Sequence, residues 1–394
     1  MSATSDVAPA GAGMRRDTVT WYCYLALGYF TYLSVIQGNI IPFLKAELGL
    51  TYGEVSLHPS ALAAGSLLVG LFGDRAIRRF GRRRMLTVGI LGGAGGITLL
   101  SLAHAAWQSI GSCLVIGLFG AFIPAMVSAI LSDLHAGRRR DVAYAEANAI
   151  CYIFAIMAPV ISALSVWAGW SWRLGLLAGA VAGVAIALAF TRTPVPELHA
   201  PTAASETPLP PAFWAFWLML AFSVAVEFSA LLWAPAYLGL VVGLSPSLAA
   251  IGGGAFFAGM LIGRAVSVRL VGVFSLRSLF MGAVTTALLG FVAYWSRGAP
   301  AVSVAGLFVM GLGVAMLFPL SLGFGMTAAG PAGARASARL IVAPGLAVLL
   351  NPPLLGTIAD HAGLWFAQLA IPAFLALAVA AFLFGEALAK RAAA

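Results

Sequence analysis

Long stretches without a charged residue constrain this chain more than any other feature. Residues 85–132 contain no Lys, Arg, Asp or Glu, and neither do residues 298–334, 340–359 and 361–385. A helix needs about 20 mainly apolar residues to cross a bilayer. Lipid offers backbone groups no hydrogen-bonding partner, so a spanning chain forms helices or a closed barrel, and these stretches lack the two-residue alternation of barrel strands. The sequence therefore predicts an all-α integral membrane protein in contact with the lipid bilayer.

Gly, Pro and charged residues divide the chain into twelve apolar segments. The predicted helices cover residues 18–43, 56–78, 84–104, 108–132, 142–168, 172–191, 212–239, 246–270, 276–296, 301–327, 335–359 and 363–385. With a cytoplasmic N-terminus, 19 of the 22 Lys and Arg residues lie on the cytoplasmic side, and only Lys45, Arg173 and Arg297 lie outside. This distribution follows the positive-inside rule. We expect a multi-pass protein of the cell inner (plasma) membrane with both termini in the cytoplasm.

The segment 191–211 is rich in Pro, Ala and Thr and reads as a linker between two halves. The predicted organisation is a cytoplasmic tail (1–17), a six-helix bundle (18–191), a cytoplasmic linker (192–211), a second six-helix bundle (212–386) and a cytoplasmic tail (387–394). The stretch "GLFGDRAIRRFGRRRMLTVG" after the second span is weakly repeated as "GMLIGRAVSVRLVGVFSLRSLFMG" after the eighth. Two pseudo-symmetric bundles with a substrate site between them are a transporter architecture.

The six-plus-six layout and the basic loop between spans two and three resemble the major facilitator superfamily. The family's loop signature has an Asp where this chain has Arg78, and the nearest carboxylate is Asp74, one helical turn earlier. The resemblance implies a cytoplasmic latch in which Asp74 and Asp133 surround Arg78 or Arg82. Alternatively, the arginines only fix the topology.

Two further stretches resemble spans of this superfamily. Residues 338–363 resemble span eleven of many facilitators, and "VEFSALLWAPAYLGLVVGLS" (226–245) resembles span seven of the fucose-permease-like and cyanate-transporter-like branches. In that span a polar or acidic residue precedes a Trp-x-Pro-x-Tyr pattern. The matching residues here are Glu227, Trp233, Pro235 and Tyr237.

Glu227 is the one carboxylate of the thirteen that lies near the middle of a predicted span. A charge at the bilayer centre costs about 2.5–3.5 kcal/mol on insertion scales, so such residues usually serve a function. Burial favours the neutral form of a carboxyl group. Glu227 could therefore carry a coupling proton, accept hydrogen bonds from a hydroxylated or cationic substrate, or be held by Arg, Ser or Asn for packing alone.

Other polar and aromatic residues could share a cavity with Glu227. Since spans one and seven line the cavities of facilitators, the resemblance implies Tyr29, Tyr32, Gln37, Asn39 and Trp233 as lining candidates, although an aromatic residue in a membrane helix is more often packed in the core or against lipid. Asn351, a further cavity candidate, precedes Pro352 and Pro353 in span eleven, where two prolines favour a kink that is either a hinge or a tolerated distortion. Glu146 is expected to pair with Arg138 or Arg140.

No metal site, organic cofactor or nucleic-acid surface is expected. No His pair has metal-ligand spacing, the cysteines are far apart, and no phosphate-binding loop is present. We therefore predict a monomeric secondary transporter that moves a small organic solute by alternating access, with proton-coupled uptake favoured. Proton-coupled efflux and facilitative uniport, with Glu227 binding substrate, stay open. A membrane enzyme or sensor is disfavoured. Arg264 is the only cation that the sequence places well inside a predicted span.

Overall fold

The computed structural model describes residues 16–135, 138–190, 192–196, 208–340 and 342–393, which are helical apart from short connections and contain no strand. Twelve segments in these ranges are long and apolar enough to cross a membrane, so the predicted all-α membrane fold is confirmed. The tail at 1–15, most of the linker and residue 394 lie outside the described residues.

The first half contains seven helices in six spans. They are α1 (Thr18–Leu48), α2 (Tyr52–Phe80), α3 (Arg82–Ser101), α4 (Ala106–Gly120), α5 (Phe122–Leu134), α6 (Arg138–Trp167) and α7 (Trp172–Ala189). The predicted fourth span is interrupted at Ala121, so that α4 and α5 together form the single apolar segment Ala106–Leu134.

The second half repeats the six spans with eight helices. They are α8 (Pro211–Leu240), α9 (Pro246–Leu270), α10 (Leu276–Trp295), α11 (Pro300–Ala329), α12 (Gly333–Leu340), α13 (Val342–Ala362), α14 (Leu364–Ala367) and α15 (Ala370–Ala393). Within the predicted helix 335–359, the structure describes α12 as far as Leu340 and α13 from Val342 onward.

Local capping explains where two helices exceed their predicted bounds. Helix α2 begins four residues early because Thr51 and Glu54 form a capping box, in which each side chain accepts from the other's backbone N–H. Helix α1 runs past Pro42 to Leu48 and ends at Gly49, which has φ 64° and donates to the Lys45 carbonyl. Glycine adopts this left-handed cap without steric cost.

Matching glycine contacts relate the two halves. In the first half, a side-chain carbon on Gly65 would overlap the backbone of α4 at Leu114, and one on Gly117 would overlap the backbone of α2 at Leu62. In the second half, Gly259 and Gly311 occupy the corresponding positions, where α9 and α11 touch at Phe308 and Phe256. Small residues let membrane helices approach to backbone contact, so the weak sequence repeat corresponds to a repeated packing motif.

The halves meet through α2 against α13, α6 against α9, and α1 against α8. The second span of each half thus packs on the fifth span of the other. Because each half has six spans, the start of α1, the end of α15 and the turn at Gly81 share one end of the bundle, which we call the basic end after the arginines near that turn. The turns at Gly49 and Gly363 lie at the opposite end.

Candidate functional site

Helix α8 lies at the centre of the protein and carries Glu227 midway along its length. It packs against α1, α9, α11, α13 and α15. Residues 223–226 and 229–238 are buried, whereas Glu227 and Phe228 are only half-buried. Glu227 interacts electrostatically with Arg264 of α9 and Tyr152 of α6, so its side chain faces neighbouring helices. The structure therefore places the mid-span carboxylate inside the bundle.

Glu227 interacts with Arg264 of α9 and Tyr152 of α6, and we call these three residues the central cluster. Glu227 and Arg264 interact as charges, and Tyr152 interacts electrostatically with both. The guanidinium carbon of Arg264 lies 5.6 Å from the centre of the Tyr152 ring. Since α6 belongs to the first half and α8 and α9 to the second, the central cluster spans the boundary between the halves.

Arg264 and Glu227 do not form a closed ion pair within the described chain. Their charges interact at longer range, and Nε of Arg264 is buried without a hydrogen-bond partner. A charge removed from water is stabilised fully only by close, well-hydrogen-bonded partners. The central cluster can therefore accept additional polar groups.

Asn351 fixes the turn of α8 that carries Glu227. Its Nδ2 donates to the Ala225 carbonyl at 3.1 Å and to Oγ of Ser229 at 3.0 Å, and all three groups are buried. These two positions lie two residues to either side of Glu227. The amide predicted as a cavity candidate is thus used to join α13 to α8.

Tyr29 and Tyr32, two further predicted lining residues, pack within the first half. The Tyr32 hydroxyl donates to the Gly175 carbonyl of α7 at 3.0 Å, and its ring lies against Gly179. The Tyr29 hydroxyl abuts Gly183 of the same helix. Both side chains are buried. The structure therefore brings neither tyrosine to the central cluster.

Gln37, Asn39 and Trp233 lie where α1 crosses α8. Their side chains are buried, and Oε1 of Gln37, Oδ1 of Asn39 and Nε1 of Trp233 have no hydrogen-bond partner in the described chain. Trp233 is six residues beyond Glu227, about 9 Å along the helix axis at the usual helical rise. These three predicted residues thus lie between the central cluster and the opposite end.

Two cavities lie away from the central cluster. Asn39 and Pro235 contribute to one of about 250 Å³ between α1, α8 and α9. A larger groove of about 470 Å³ is lined by α9, α10 and α11 and is mostly apolar. Its lining contains none of the cluster residues, so the groove does not mark the polar site.

The opposite end of the bundle is closed across the two halves. The Asp360 carboxylate at the end of α13 accepts hydrogen bonds from the backbone N–H groups of Tyr52 and Gly53, each at 2.7 Å. These groups belong to the first turn of α2, where N–H groups lack partners within the helix. The helix dipole also favours an anion there. Asp360 therefore caps a helix of the other half.

Backbone contacts continue this closure towards the interior, and with the Asp360 contacts they form what we call the closed seam. A side-chain carbon on Gly38 would lie 2.9 Å from the Leu231 carbonyl oxygen of α8, and one on Gly356 would lie 2.6 Å from the Tyr52 carbonyl oxygen. Deeper along α13, Pro353 cannot donate to the Leu349 carbonyl. Ser60 of α2 donates to that carbonyl instead, at 2.8 Å.

The basic end contains the predicted latch residues. Arg82 is buried and forms an ion pair with Asp133. Arg78 is exposed. Asp74 lies on α2, but its side chain is outside the described part of the structure. Of the four predicted residues, the structure thus brings Arg82 and Asp133 into contact.

Glu146 is paired with Arg16, a partner that the sequence did not predict, and the side chain of Arg138 lies outside the described part of the structure. Arg16, just before α1, donates to both Glu146 carboxylate oxygens, at 2.6 and 2.9 Å, and the Tyr24 hydroxyl donates at 2.9 Å. Contacts between α1 and α6 bring these residues together. Such pairing is not visible in sequence because the partners are 130 positions apart.

A bundle of twelve spans in two matching halves, with a charged cluster where the halves meet, is the architecture of a membrane solute transporter. A family model described as Major Facilitator Superfamily matches residues 21–341. The chain belongs to this superfamily, a family of secondary transporters. This membership supports transport rather than enzymatic activity.

The chain is also similar to individual known transporters. The cercosporin MFS transporter CTB4 of Cercospora nicotianae is 29% identical over 197 residues, or 46% of this chain, and the match spans 36% of that relative's length. A bacterial homologue of the human lysosomal transporter Spinster, in an inward-facing and unoccupied conformation, has a TM-score of 0.73 at 15% identity and covers 96% of this chain and 99% of its own. A D-xylose–proton symporter has a TM-score of 0.71 at 14% identity, with coverages of 93% and 96%.

Proposed function

We propose that this protein is a proton-coupled transporter that takes up a small organic solute, with Glu227 as the proton carrier. The observation that carries the proposal is the half-buried Glu227, which interacts with Arg264 of its own half and Tyr152 of the other and forms no closed ion pair within the described residues. A carboxyl group in such surroundings changes its protonation when access to water changes. Alternating access would supply that change.

The closed seam supports a particular stage of the transport cycle. The halves are joined at the opposite end by Asp360 and by backbone contacts around Gly38 and Gly356. If the basic end is cytoplasmic, as the distribution of Lys and Arg favours, the protein is closed towards the outside. We propose that it acts as a monomer in the cell inner (plasma) membrane, with both termini in the cytoplasm and the proton as its coupling ion.

Facilitative uniport is the second candidate function. Glu227 would then accept hydrogen bonds from a hydroxylated or cationic substrate, and its protonation would play no part in transport. The same half-exposed carboxylate favours this candidate. The two functions differ in whether a pH gradient drives accumulation. Proton-coupled efflux would use the same residue and differ from uptake only in direction.

The test is the substitution Glu227→Gln in the full-length protein. Purified protein is first screened for thermal stabilisation by classes of metabolites at about pH 5.5 and about pH 7.5, and a stabilising compound is then followed in proteoliposomes. Glu227→Gln should retain exchange of that compound across the membrane and lose its accumulation under an imposed pH gradient, because the amide binds no proton near neutral pH.

Glu54→Gln is the matched control, since it removes a carboxylate from the exposed first turn of α2 and leaves an amide oxygen able to complete the capping box. This control should accumulate the compound like the wild type. Unchanged pH-driven accumulation in Glu227→Gln would refute proton coupling at this residue. Loss of both binding and exchange would favour uniport with direct recognition.

A further inference from the structure

Arg264 has the chemistry of a substrate-binding residue. It lies on α9 and interacts electrostatically with Glu227 of α8, its Nε is buried without an acceptor in the described structure, and its guanidinium faces the Tyr152 ring of the other half. An arginine within a membrane bundle is costly and normally faces a partner or a cavity. Its planar fork of N–H donors matches a carboxylate in two parallel hydrogen bonds.

We propose that Arg264 binds the carboxylate group of a monoanionic substrate while Glu227 takes up one proton, so that the central cluster keeps a net charge of zero. This inference rests on the proposed proton coupling and adds the substrate class to it. The substrate is thereby assigned to the organic monocarboxylates.

Charge balance within the central cluster supports this assignment. With Glu227 ionised, its charge and that of Arg264 cancel. A bound monoanion would leave one uncompensated negative charge inside the membrane, which is costly. Protonation of Glu227 removes that charge. Substrate and proton therefore enter together, which is the requirement for coupled transport.

The groups that face Glu227 limit the substrate to a single negative charge. Arg264 of α9 and Tyr152 of α6 are the titratable side chains of the described chain that interact with it, and Cys151 of α6 interacts in turn with Arg264. Helices α1, α11, α13 and α15 contribute no further charged partner to Glu227 in this part of the structure. A dianion would need a second cation or a second proton acceptor.

The position of Tyr152 connects binding to the conformational change. Arg264 and Glu227 belong to the second half, whereas Tyr152 belongs to the first. A carboxylate held by the Arg264 fork lies beside the Tyr152 hydroxyl, which can donate a further hydrogen bond. The ligand would then contact both halves, and a ligand shifts a conformational equilibrium by its differential affinity for the two states.

The experiment measures binding of matched probe pairs to the purified full-length protein. The probes are lactate with propane-1,2-diol, benzoate with benzyl alcohol, and hexanoate with hexan-1-ol, titrated at about pH 5.5 and about pH 7.5. At least one carboxylate should bind where its alcohol does not. If one proton binds with each carboxylate, the affinity for the carboxylate should weaken by about tenfold per pH unit once the pH exceeds that at which Glu227 loses its proton in the unliganded protein.

Four variants separate the roles of the two residues. Arg264→Gln should lose carboxylate binding by about tenfold or more, as expected for a charge-assisted hydrogen bond. Glu227→Gln should bind the carboxylate with little dependence on pH. The double variant Arg264→Gln/Glu227→Gln contains no buried unpaired charge, so it should fold and still fail to bind. Arg269→Gln, which removes an exposed arginine further along α9, should behave like the wild type.

Three outcomes would overturn the inference: alcohols that bind as well as their carboxylates, carboxylate binding that survives in the double variant, or no binding by any carboxylate of the panel. These outcomes differ from failure of the proposed function. If a neutral solute accumulates under a pH gradient in the wild type and not in Glu227→Gln, proton coupling stands and the carboxylate site falls. If carboxylate binding requires Arg264 but Glu227→Gln accumulates the compound normally, the carboxylate site stands and proton coupling at Glu227 falls.

Discussion

Removal of the Asp360 carboxylate should open the end of the protein that is closed in this structure. In Asp360→Ala, the backbone N–H groups of Tyr52 and Gly53 lose acceptors at 2.7 Å. Hydrogen bonds to a charged group contribute about 1.5–3 kcal/mol each, and an anion at a helix N-terminus about 0.3–1 kcal/mol. Asp360 is exposed, so hydrogen bonds to water replace part of this stabilisation in the variant. We expect a net loss of about 2 kcal/mol for the closed state.

A loss of that size changes the ratio of closed to open molecules by about 30-fold, since 1.4 kcal/mol corresponds to a factor of ten. The change can be measured as the distance between spin labels at Trp107 on α4 and Leu248 on α9, which are exposed at the opposite end of different halves. The wild type should show one short distance, and Asp360→Ala should add a longer population.

Glu54→Gln is again the control, because its carboxylate lies in the same turn as Gly53 and accepts from the Thr51 N–H of the same helix cap. Its distance distribution should match the wild type. If Asp360→Ala also matched the wild type, the capping of α2 from the other half would contribute nothing to closure, and the seam would be held by its backbone contacts alone.

Three further predictions address other contacts. Gly38→Val should open the same end, because its side chain would meet the Leu231 carbonyl of α8 at 2.9 Å or less, and the same spin labels report it. Asn351→Leu should lower the free energy of unfolding by about 1–3 kcal/mol, since it removes both hydrogen bonds to α8. Hydrogen bonds from Arg173 and Trp172 lower the pKa of Glu47. Glu47→Gln should therefore destabilise the protein by less than about 1 kcal/mol at neutral pH, and the difference should disappear as the pH falls through that lowered pKa.

Each of these variants has a measurement that would contradict it. Gly70→Val adds the same side chain where no atom lies within 4 Å. If it changed the spin-label distance as much as Gly38→Val does, the contact of Gly38 with α8 would not be the cause of the opening. Asn148→Leu removes an exposed amide that donates to the Tyr144 carbonyl of its own helix, and equal destabilisation would show that the bonds of Asn351 to α8 have no special effect. For Glu47, a stability difference that grows on acidification would have the wrong sign.

The spans could be predicted from sequence because lipid imposes a simple length and composition rule. Their exact ends depended on local geometry, such as the capping box of Thr51 and Glu54 and the left-handed turn at Gly49. The break at Ala121 lies between Gly120 and Pro124, which cannot donate to the Gly120 carbonyl, but these residues did not fix its exact position in advance. Composition thus predicts that a membrane helix is present, whereas the capping residues decide where it begins and ends.

The candidate site was only partly accessible to sequence reasoning. Glu227 and Arg264 stood out separately as charges within apolar spans, but their proximity depends on how α8 packs against α9. Asn351 had a visible position before two prolines, yet its hydrogen bonds to α8 follow from tertiary packing. Asp360 looked like a residue at a helix end, and its partners lie more than 300 positions away. The residue types indicated which chemistry is available, whereas the partners of each residue could be identified only from the folded structure.

The closed seam sets a condition on how the halves can separate. At Gly38 and Gly356 the contact is between main chains, which cannot move aside as long side chains can. A small local fluctuation therefore gains no room, and the seam must part along much of its length at once. Such cooperative opening leaves few half-open molecules, so under the proposed proton coupling little solute or proton would leak during each turnover.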